Sequence, residues 1–284
     1  MNDIMRQIGP GKDARSFSSE AAMPQTDLAF RCRSLSVDLG EGVAKRRIIE
    51  DLALDVPRQQ FVCILGESGV GKTTLLRVFG GLLPAAEGSM LELYGERISG
   101  PPDGAVFVFQ NYSASLLPWR TACKNVELGL EGSVSKAARR QRAISALEQV
   151  GLGDRANEYP RQMSGGMQQR VQIARALALK PRLLLMDEPF GALDAMTRES
   201  LQVELRRIHQ ESGATIVFIT HDVDESVFLA NRLIVLKGKP ASVGLDILSS
   251  LPQERDQVLT KETPEYLELR HRVYETLRGQ SRTP

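Results

Sequence analysis

A glycine-rich run that ends in a lysine and two threonines is the strongest chemical signal in the sequence. It lies between an apolar run and a segment with a helical pattern. Glycines at this spacing let successive backbone N–H groups point at phosphate oxygens, at the amino end of the following helix. The lysine supplies charge to the β- and γ-phosphates, and the threonine hydroxyl is a ligand for Mg²⁺. The predicted nucleoside triphosphate site comprises Gly66, Glu67, Ser68, Gly69, Val70, Gly71, Lys72, Thr73 and Thr74.

Two acidic residues directly follow a second apolar run. Asp187 and Glu188 come after Leu183 to Met186, and a carboxylate at the tip of a buried strand is well placed to hold Mg²⁺. We predict that Asp187 binds the metal together with Thr73. We predict that Glu188 is the general base, which accepts a proton from the attacking water. The alternative is an acidic strand end that only faces solvent.

Two further polar residues also follow apolar runs. Gln110 directly follows one such run, and His221 lies just after Ile216 to Ile219. Ligands collect at the carboxyl ends of parallel strands, so both are candidate catalytic residues. The amide of Gln110 can contact both Mg²⁺ and the attacking water, and His221 can hydrogen-bond a γ-phosphate oxygen. The other histidines, His209 and His271, lie in predicted helices amid polar residues and receive no role.

A second anion site is predicted in the run Met163 to Arg170, where a serine and two glycines open a helix that continues to about Leu177. Free N–H groups and the positive end of the helix dipole favour an anion there. An ordinary N-cap is the alternative, and it explains the serine but not the glycines and glutamines after it. The predicted site comprises Ser164, Gly165, Gly166 and Gln168.

The overall composition narrows the class of protein. The chain has 284 residues, is 42% hydrophobic and carries a net charge of +1 from 36 basic and 35 acidic residues. This balance is ordinary for a globular protein and lacks the basic excess of a nucleic-acid-binding protein, so we expect no nucleic-acid partner. No apolar stretch approaches the about 18 residues that span a membrane. Three scattered cysteines fit a reduced cytosolic compartment.

Apolar runs and helical patterns alternate along the chain. Four runs are apolar throughout, as expected of strands buried on both faces of a parallel sheet, and helical patterns lie between them. Three earlier segments partly alternate, which indicates half-buried antiparallel strands. The apolar runs are Phe61–Leu65, Val106–Phe109, Leu183–Met186 and Ile216–Ile219, and the alternating segments are Leu28–Leu39, Arg46–Val56 and Ser89–Ile98.

Helix signals place the motifs on elements. A helix is predicted from Lys72 to Leu83, and another is capped by Asp194 and ends before Gly213. Between about residues 121 and 180 the pattern is helical without a strand, and Lys136 to Val150 is one clear helix there. We therefore predict a helical subdomain inserted into the α/β core.

The predicted organisation has three parts. A flexible tail occupies 1–27, an α/β nucleotide-binding domain occupies 28–245 with its helical subdomain at about 121–180, and a C-terminal extension occupies 246–284. The extension contains a predicted amphipathic helix from Pro264 to Gly279, with Leu269, Val273 and Leu277 on one face.

In these motifs the chain resembles the nucleotide-binding subunit of ABC transporters, over about Leu28 to Leu236. The order and spacing of the motifs fit that family, whose fold is a P-loop NTPase with a parallel core sheet, an antiparallel β subdomain and an inserted α-helical subdomain. The matching motifs are Walker A at Gly66–Thr73, the Q-loop at Gln110, the signature at Met163–Arg170, Walker B ending at Asp187 with Glu188, the D-loop at Ala192-Leu193-Asp194 and the switch histidine His221.

The resemblance implies ATP hydrolysis with Mg²⁺ in a head-to-tail dimer of two copies. Each ATP would lie between Lys72 of one copy and Ser164 of the other. ATP would close the dimer and hydrolysis would open it, which gives the two states that any coupling requires.

A finer resemblance points to the nitrate, sulfonate and taurine group of bacterial importers. It rests on Leu116 to Thr121 after the Q-loop, on Lys239-Pro240 and on Pro264-Glu265-Tyr266. It implies a peripheral protein on the cytoplasmic face of the inner membrane, with transmembrane permease subunits and, indirectly, a periplasmic solute-binding protein as partners. Trp119 is either a permease contact or a core or subdomain-hinge residue. The alternative function is a soluble ABC-type ATPase of an assembly complex.

One position departs from the family. An aromatic residue that stacks on adenine is usual before Walker A, but here that place falls near Val43, and no aromatic residue occurs between Phe30 and Phe61. We expect either a more loosely held adenine or a guanidinium of Arg46 or Arg47 stacked on it.

Overall fold

A six-stranded sheet forms the centre of the molecule. The structure is a computed structural model and describes residues 27–110 and 115–280. The strand order is β10-β9-β3-β8-β7-β6; neighbours from β9 to β6 run parallel, and β10 pairs antiparallel with β9. The strands are β3 Phe61–Gly66, β6 Ala105–Val108, β7 Leu183–Asp187, β8 Thr215–Ile219, β9 Arg232–Lys237 and β10 Ser242–Leu248.

Burial on both faces explains why the central strands are apolar throughout. Every residue of β3, β7 and β8 is buried. Successive residues of β3 alternate between two hydrophobic clusters: Phe61, Cys63 and Leu65 belong to one, and Val62 and Ile64 belong to the other. The four apolar runs are thus confirmed as strands of a parallel sheet, but the edge strand β6 is mostly half-buried and ends at Val108, before the predicted Phe109.

The last strand was not predicted. The C-terminal extension was expected to begin after residue 245, but that position lies inside β10, which continues to Leu248. Glycine, an aspartate and mostly half-exposed positions break the apolar pattern of β10, because it is an edge strand. The structure therefore moves this boundary to the end of β10.

An antiparallel sheet covers one face of the core. Its strand order is β2-β1-β4-β5, and its apolar side packs with helix α1 (Lys72–Phe79), where the rings of Phe30 and Phe79 lie 4.8 Å apart. The segment Ser89–Ile98, predicted as one strand, is a hairpin of two short strands. The strands are β1 Leu28–Leu39, β2 Arg46–Pro57, β4 Met90–Leu93 and β5 Glu96–Arg97.

The remaining helices cover the other face. The insert between residues 121 and 180 contains α2, α3 and α4 and no strand, as predicted. The aspartate cap of α5 is confirmed, because Asp194 Oδ1 accepts from Thr197 N at 3.0 Å. Helix α1 stops at Phe79, short of the predicted Leu83, because two glycines follow. The helices are α1 Lys72–Phe79, α2 Ala122–Glu127, α3 Lys136–Gln149, α4 Gly165–Ala178, α5 Ala195–Ser212, α6 Val223–Leu229 and α7 Pro264–Gln280.

The C-terminal helix belongs to the main body of the molecule. Tyr266, Leu269 and Val273 of α7 are buried in the same hydrophobic cluster as the core sheet, and Leu277 is partly buried against it. The amphipathic helix is therefore confirmed. Among the described residues no helix is both long and apolar enough to cross a membrane. The tail predicted at residues 1–27 lies outside the described residues except for Asp27.

Gly81 offers a test of the turn that ends α1. Its φ is +64°, and a Cβ added there would lie 2.0 Å from the carbonyl oxygen of Gly100. Gly88 has φ +85° with no atom near its would-be Cβ. We expect Gly81→Ala to lower the free energy of unfolding by at least about 2 kcal/mol more than Gly88→Ala, which adds only backbone strain. Urea denaturation measures both, and equal losses would contradict the close approach.

Candidate nucleotide and magnesium site

The phosphate loop connects β3 to α1, as the sequence predicts. Val70 is buried and anchors the loop, while Glu67, Ser68 and Gly69 are exposed. Gly71 caps α1 with φ +112°, and a Cβ there would lie 2.9 Å from Ile48 Cγ2 of β2. Only glycine allows this backbone to pass so close to β2 and still present its N–H groups at the amino end of α1.

Lys72 lies within this loop. Its Nζ donates to the carbonyl oxygens of Gly66 at 2.8 Å and Glu67 at 3.0 Å. Burial lowers the pKa of Lys72, and the nearby charges of Glu188 and Asp187 act in the opposite direction. A partly desolvated ammonium gains more from a phosphate than a solvated one would.

Two of the three predicted magnesium ligands, Thr73 and Asp187, meet although they are 114 residues apart. The hydroxyl of Thr73 donates to Asp187 Oδ1 at 3.2 Å. Burial raises the pKa of Asp187, a cost to its charged form that a bound cation would offset. Among the described residues no group of three or more His, Cys, Asp or Glu side chains is arranged to hold a metal. Mg²⁺ with few protein ligands, completed by phosphate oxygens and water, fits this donor set.

Two of the three predicted catalytic residues, Gln110 and His221, converge on a carboxylate oxygen of the third, Glu188. Gln110 Nε2 donates to Glu188 Oε2 at 3.3 Å, and His221 Nδ1 lies 3.1 Å from the same oxygen. Glu188 follows β7 with φ +46° and its N–H donates to the carbonyl oxygen of Ile219 on β8. A non-glycine residue in this region costs of the order of 1–3 kcal/mol, a strain that collects at functional sites. The structure thus gathers these residues, and their catalytic roles remain predictions.

The signature segment has its own local order. Ser164 is exposed and caps α4, with its Oγ accepting from Met167 N at 3.3 Å. The N-cap considered as an alternative is therefore present, and it leaves the amino end of α4 open to solvent. Gln168 Nε2 donates within the chain to the carbonyl oxygens of Pro160 and Met163. It braces the turn before α4, and its part in the anion site stays a prediction.

Two glutamines of α4 were missed by sequence reasoning. Gln169 Oε1 accepts from the N–H of Ala192 in the D-loop at 3.2 Å, and Gln172 Nε2 donates to the carbonyl oxygen of Phe109, beside the Q-loop, at 3.0 Å. Both are buried. Their signal was a pair of amides, three residues apart, in a helix whose other buried residues are aliphatic.

The D-loop and the switch histidine are also joined. Asp194 caps α5, and its hydrogen bond from Thr197 N lowers the pKa of the carboxyl. From α5, Arg198 donates to the carbonyl oxygen of Leu193 and lies 3.7 Å from a carboxylate oxygen of Asp222, next to His221. Arg198 therefore supports both the D-loop and the segment that carries the switch histidine.

The remaining histidines differ from each other. His209 was expected amid polar residues, but it is buried, its Nε2 lies 3.1 Å from the carbonyl oxygen of Gln59, and burial lowers its pKa to about 4. It is a neutral core residue. His271 is exposed beside Glu275.

The structure distinguishes between the two arginines that were considered for stacking on adenine. The backbone around Val43 forms a short 3-10 helix, Gly42–Ala44, directly before β2. Both arginines are exposed, but Arg47 is held by Asp38, with Nε 2.6 Å from Oδ1, whereas the side chain of Arg46 has no hydrogen bond or ion pair among the described residues. Arg46 is therefore the better candidate for stacking, which stays a prediction.

Comparisons with known proteins show the family of this chain. The family described as "ABC transporter" matches residues 49–191, about half of the chain. The nitrate import ATP-binding protein NrtD of Synechococcus elongatus is 44% identical over 228 residues, which is 78% of this chain and 81% of NrtD. The chain belongs to the ABC transporter family. As a member of that family it is an ATP hydrolase, with an ABC-type P-loop fold.

Other relatives in the family are similar to the same degree. The bicarbonate transport ATP-binding protein CmpD of Synechocystis sp. is 44% identical over 230 residues, 79% of this chain and 80% of CmpD. The nitrate import ATP-binding protein NrtC of S. elongatus is 42% identical over 238 residues, but those cover 36% of NrtC, so the chain spans about a third of that relative. A solved dimer of the ATP-binding cassette MJ0796 with ADP and Pi has a TM-score of 0.69 at 33% identity, and covers 77% of this chain and 98% of that one.

Glu225, on α6 just after the switch histidine, gives a pH test. It is buried, Gln202 Nε2 donates to its Oε1 at 3.2 Å, and burial raises its pKa from 4.5 to about 7. Because the folded chain holds this proton more tightly, its stabilising effect is present below about pH 4.5 and is lost as pH rises through about 7. We expect Glu225→Gln to be more stable than the wild type by about 1–3 kcal/mol at pH 8, and equal to it near pH 4.5.

Urea denaturation at several pH values measures this difference. The exposed Glu87 provides a matched control, and Glu87→Gln should follow the wild-type pH dependence. A Glu225→Gln difference that stays constant between pH 5 and pH 8 would contradict the buried-acid assignment.

Proposed function

We propose that this chain is the ATP-hydrolysing subunit of a bacterial importer for a small anionic solute of the nitrate or sulfonate kind. The observation that carries the proposal is the 44% identity with a nitrate import ATP-binding protein over about four-fifths of both chains. A bicarbonate transport subunit and an aliphatic sulfonates import subunit are similar to the same degree. The assembly ATPase considered from the sequence has no comparable support.

In the proposed reaction, the residues at the carboxyl ends of the core strands have different roles. Lys72 and the loop N–H groups bind the phosphates, while Thr73 and Asp187 would hold Mg²⁺, which would neutralise charge on the β- and γ-phosphates. Glu188 orients the attacking water and accepts its proton, an effect worth about 10²–10⁴ in rate. Gln110 and His221 contact the same Glu188 oxygen and so fix it. Their other atoms can meet the γ-phosphate.

The proposed active form contains a second copy of the chain. The open amino end of α4, with Ser164, Gly165 and Gly166, is a second anion site. No hydrogen bond or ion pair within the described ranges joins it to the loop that holds Lys72. A head-to-tail dimer brings the two sites of different copies together around ATP, and the similar cassette was solved as a dimer.

The surface proposed for the permease lies beside the Q-loop. Trp119 is 71% exposed, so it is not the core residue considered from the sequence. The loop that carries it is prebuilt around Asn125, which accepts from Leu117 N at 2.8 Å and donates to the carbonyl oxygens of Leu117, Arg120 and Thr121. An indole held out by a rigid loop fits an apolar partner surface. We place the chain at the cytoplasmic face of the inner membrane, where the permease also links it to a periplasmic solute-binding protein.

Glu188→Gln tests the reaction and the dimer together. We expect turnover to fall by about 10²–10⁴ while ATP still binds, because the amide cannot accept the proton. The variant should then remain a closed dimer with Mg-ATP, measured by light scattering. Adding Ser164→Arg should keep it monomeric with ATP bound. A monomeric Glu188→Gln protein at saturating ATP would contradict the shared site, and wild-type turnover would remove the role of Glu188.

Trp119→Ala tests the permease surface. Tagged protein purified from native membranes should bring a multi-span permease with it, identified by mass spectrometry, and the variant should lose that partner because its indole is gone. ATP hydrolysis by the isolated chain should stay unchanged. Leu248→Ala, at another exposed apolar residue, is the control and should retain the partner. Only soluble partners for the wild type would favour the assembly ATPase, and full retention by Trp119→Ala would move the docking surface elsewhere.

A further inference from the structure

The helix that follows the switch histidine depends on its neighbours for its position. Helix α6 has seven residues, Val223–Leu229, which is too short to be stable alone. The imidazole of His221 is 69% exposed, and its contact is with Glu188. Since little packing surrounds the ring, the backbone that leads into α6 sets its place.

The C-terminal extension grips the first turn of α6. The hydroxyl of Tyr266 donates to the backbone carbonyl oxygen of Asp224 at 3.0 Å and lies 3.2 Å from its Oδ1. Arg270 Nε lies 2.8 Å from the same carboxylate oxygen. Tyr266 is 1% exposed, so this hydroxyl has been taken out of water to meet Asp224, three residues after His221. A buried polar group placed in this way has a fixed partner.

The same extension holds the other end of α6. Arg255 donates to the carbonyl oxygens of Phe228 at 2.6 Å and Ala230 at 3.0 Å. These carbonyls end the helix and have no partner within it, so a cation there is well placed for both hydrogen bonds and helix dipole. The helix is thus held at both ends by residues that come after β10.

A third set of contacts ties the extension to the D-loop helix. Gln257 Nε2 donates to Gln202 Oε1 at 3.0 Å, and Gln202 in turn donates to Glu225 of α6. Lys261 Nζ lies 2.9 Å from a carboxylate oxygen of Glu199 on α5. The extension therefore fixes α5 and α6 relative to each other.

We propose that Tyr266, with Arg270 acting on the same carboxylate, is a positioning residue for hydrolysis: it fixes the first turn of α6 and thereby the place of His221 beside Glu188. This rests on the catalytic role proposed for His221. Reacting groups tolerate little displacement, since a shift of about 1 Å can cost up to about 10² in rate. Tyr266 and Arg270 act on the first turn of α6, and neither contacts the phosphate loop. We therefore expect them to affect the chemical step and not ATP binding.

Tyr266→Phe is the direct test, because it removes one oxygen and keeps the buried ring. With the purified full-length chain we expect kcat to fall about three- to tenfold, the value of one hydrogen bond, with KM for ATP unchanged. Tyr274→Phe on the same helix, whose ring lies against Arg270, is the matched control and should behave as the wild type. Arg270→Gln removes the second contact from a half-exposed position and should lower kcat in the same way.

A double-mutant cycle with His221→Ala separates positioning from general stability. If Tyr266 acts through His221, adding Tyr266→Phe to His221→Ala should leave the rate of His221→Ala unchanged. Single-turnover hydrolysis with protein in excess keeps such slow rates measurable. The same fold loss in both backgrounds, or no loss from Tyr266→Phe alone, would overturn the inference. Wild-type turnover by His221→Ala would instead overturn the role proposed for His221 itself.

Discussion

The parallel pairing of β3, β6, β7 and β8 is the constraint on which the site depends. Paired strands lie about 4.8 Å apart and run in one direction, so their carboxyl ends form a single edge. In the register, Val108 pairs with Met186, and Asp187 pairs with Ile219. Gln110 and His221 lie two residues after Val108 and Ile219, and Glu188 directly follows Asp187, so this register brings the three side chains to one edge. A shift of one residue in either pairing would turn the following side chains to opposite faces of the sheet.

Burial acts on the two charged groups of this edge in opposite directions. It lowers the pKa of Lys72 and raises that of Asp187, and in both cases the charged form is the one disfavoured. Each group therefore gains from a ligand of opposite charge, phosphate for the lysine and a cation for the aspartate. A nucleotide that arrives with its metal satisfies both at once. We therefore expect the metal–nucleotide complex to bind this edge better than either component alone.

Short-range patterns made much of this predictable. The phosphate loop, the capped helix α5 and the apolar strands are local signals, and the resemblance to a known family joined them into one site. Contacts between residues far apart in the sequence gave no such signal. The sequence around Gln169, Arg255 or Tyr266 does not indicate which residue each of them contacts. Strand β10 was missed because an edge strand need not be apolar.

Helix α4 touches three segments of the nucleotide site along its length. Its amino end carries Ser164, Gln169 holds the D-loop, and Gln172 holds the backbone beside the Q-loop. The contacts of Gln169 and Gln172 are single hydrogen bonds to backbone groups, so each allows α4 to change its angle to the segment it holds. If the helical insert rotates relative to the core, α4 would move all three segments together. The loop of Trp119, proposed to meet the permease, would then move together with the nucleotide site that the dimer shares.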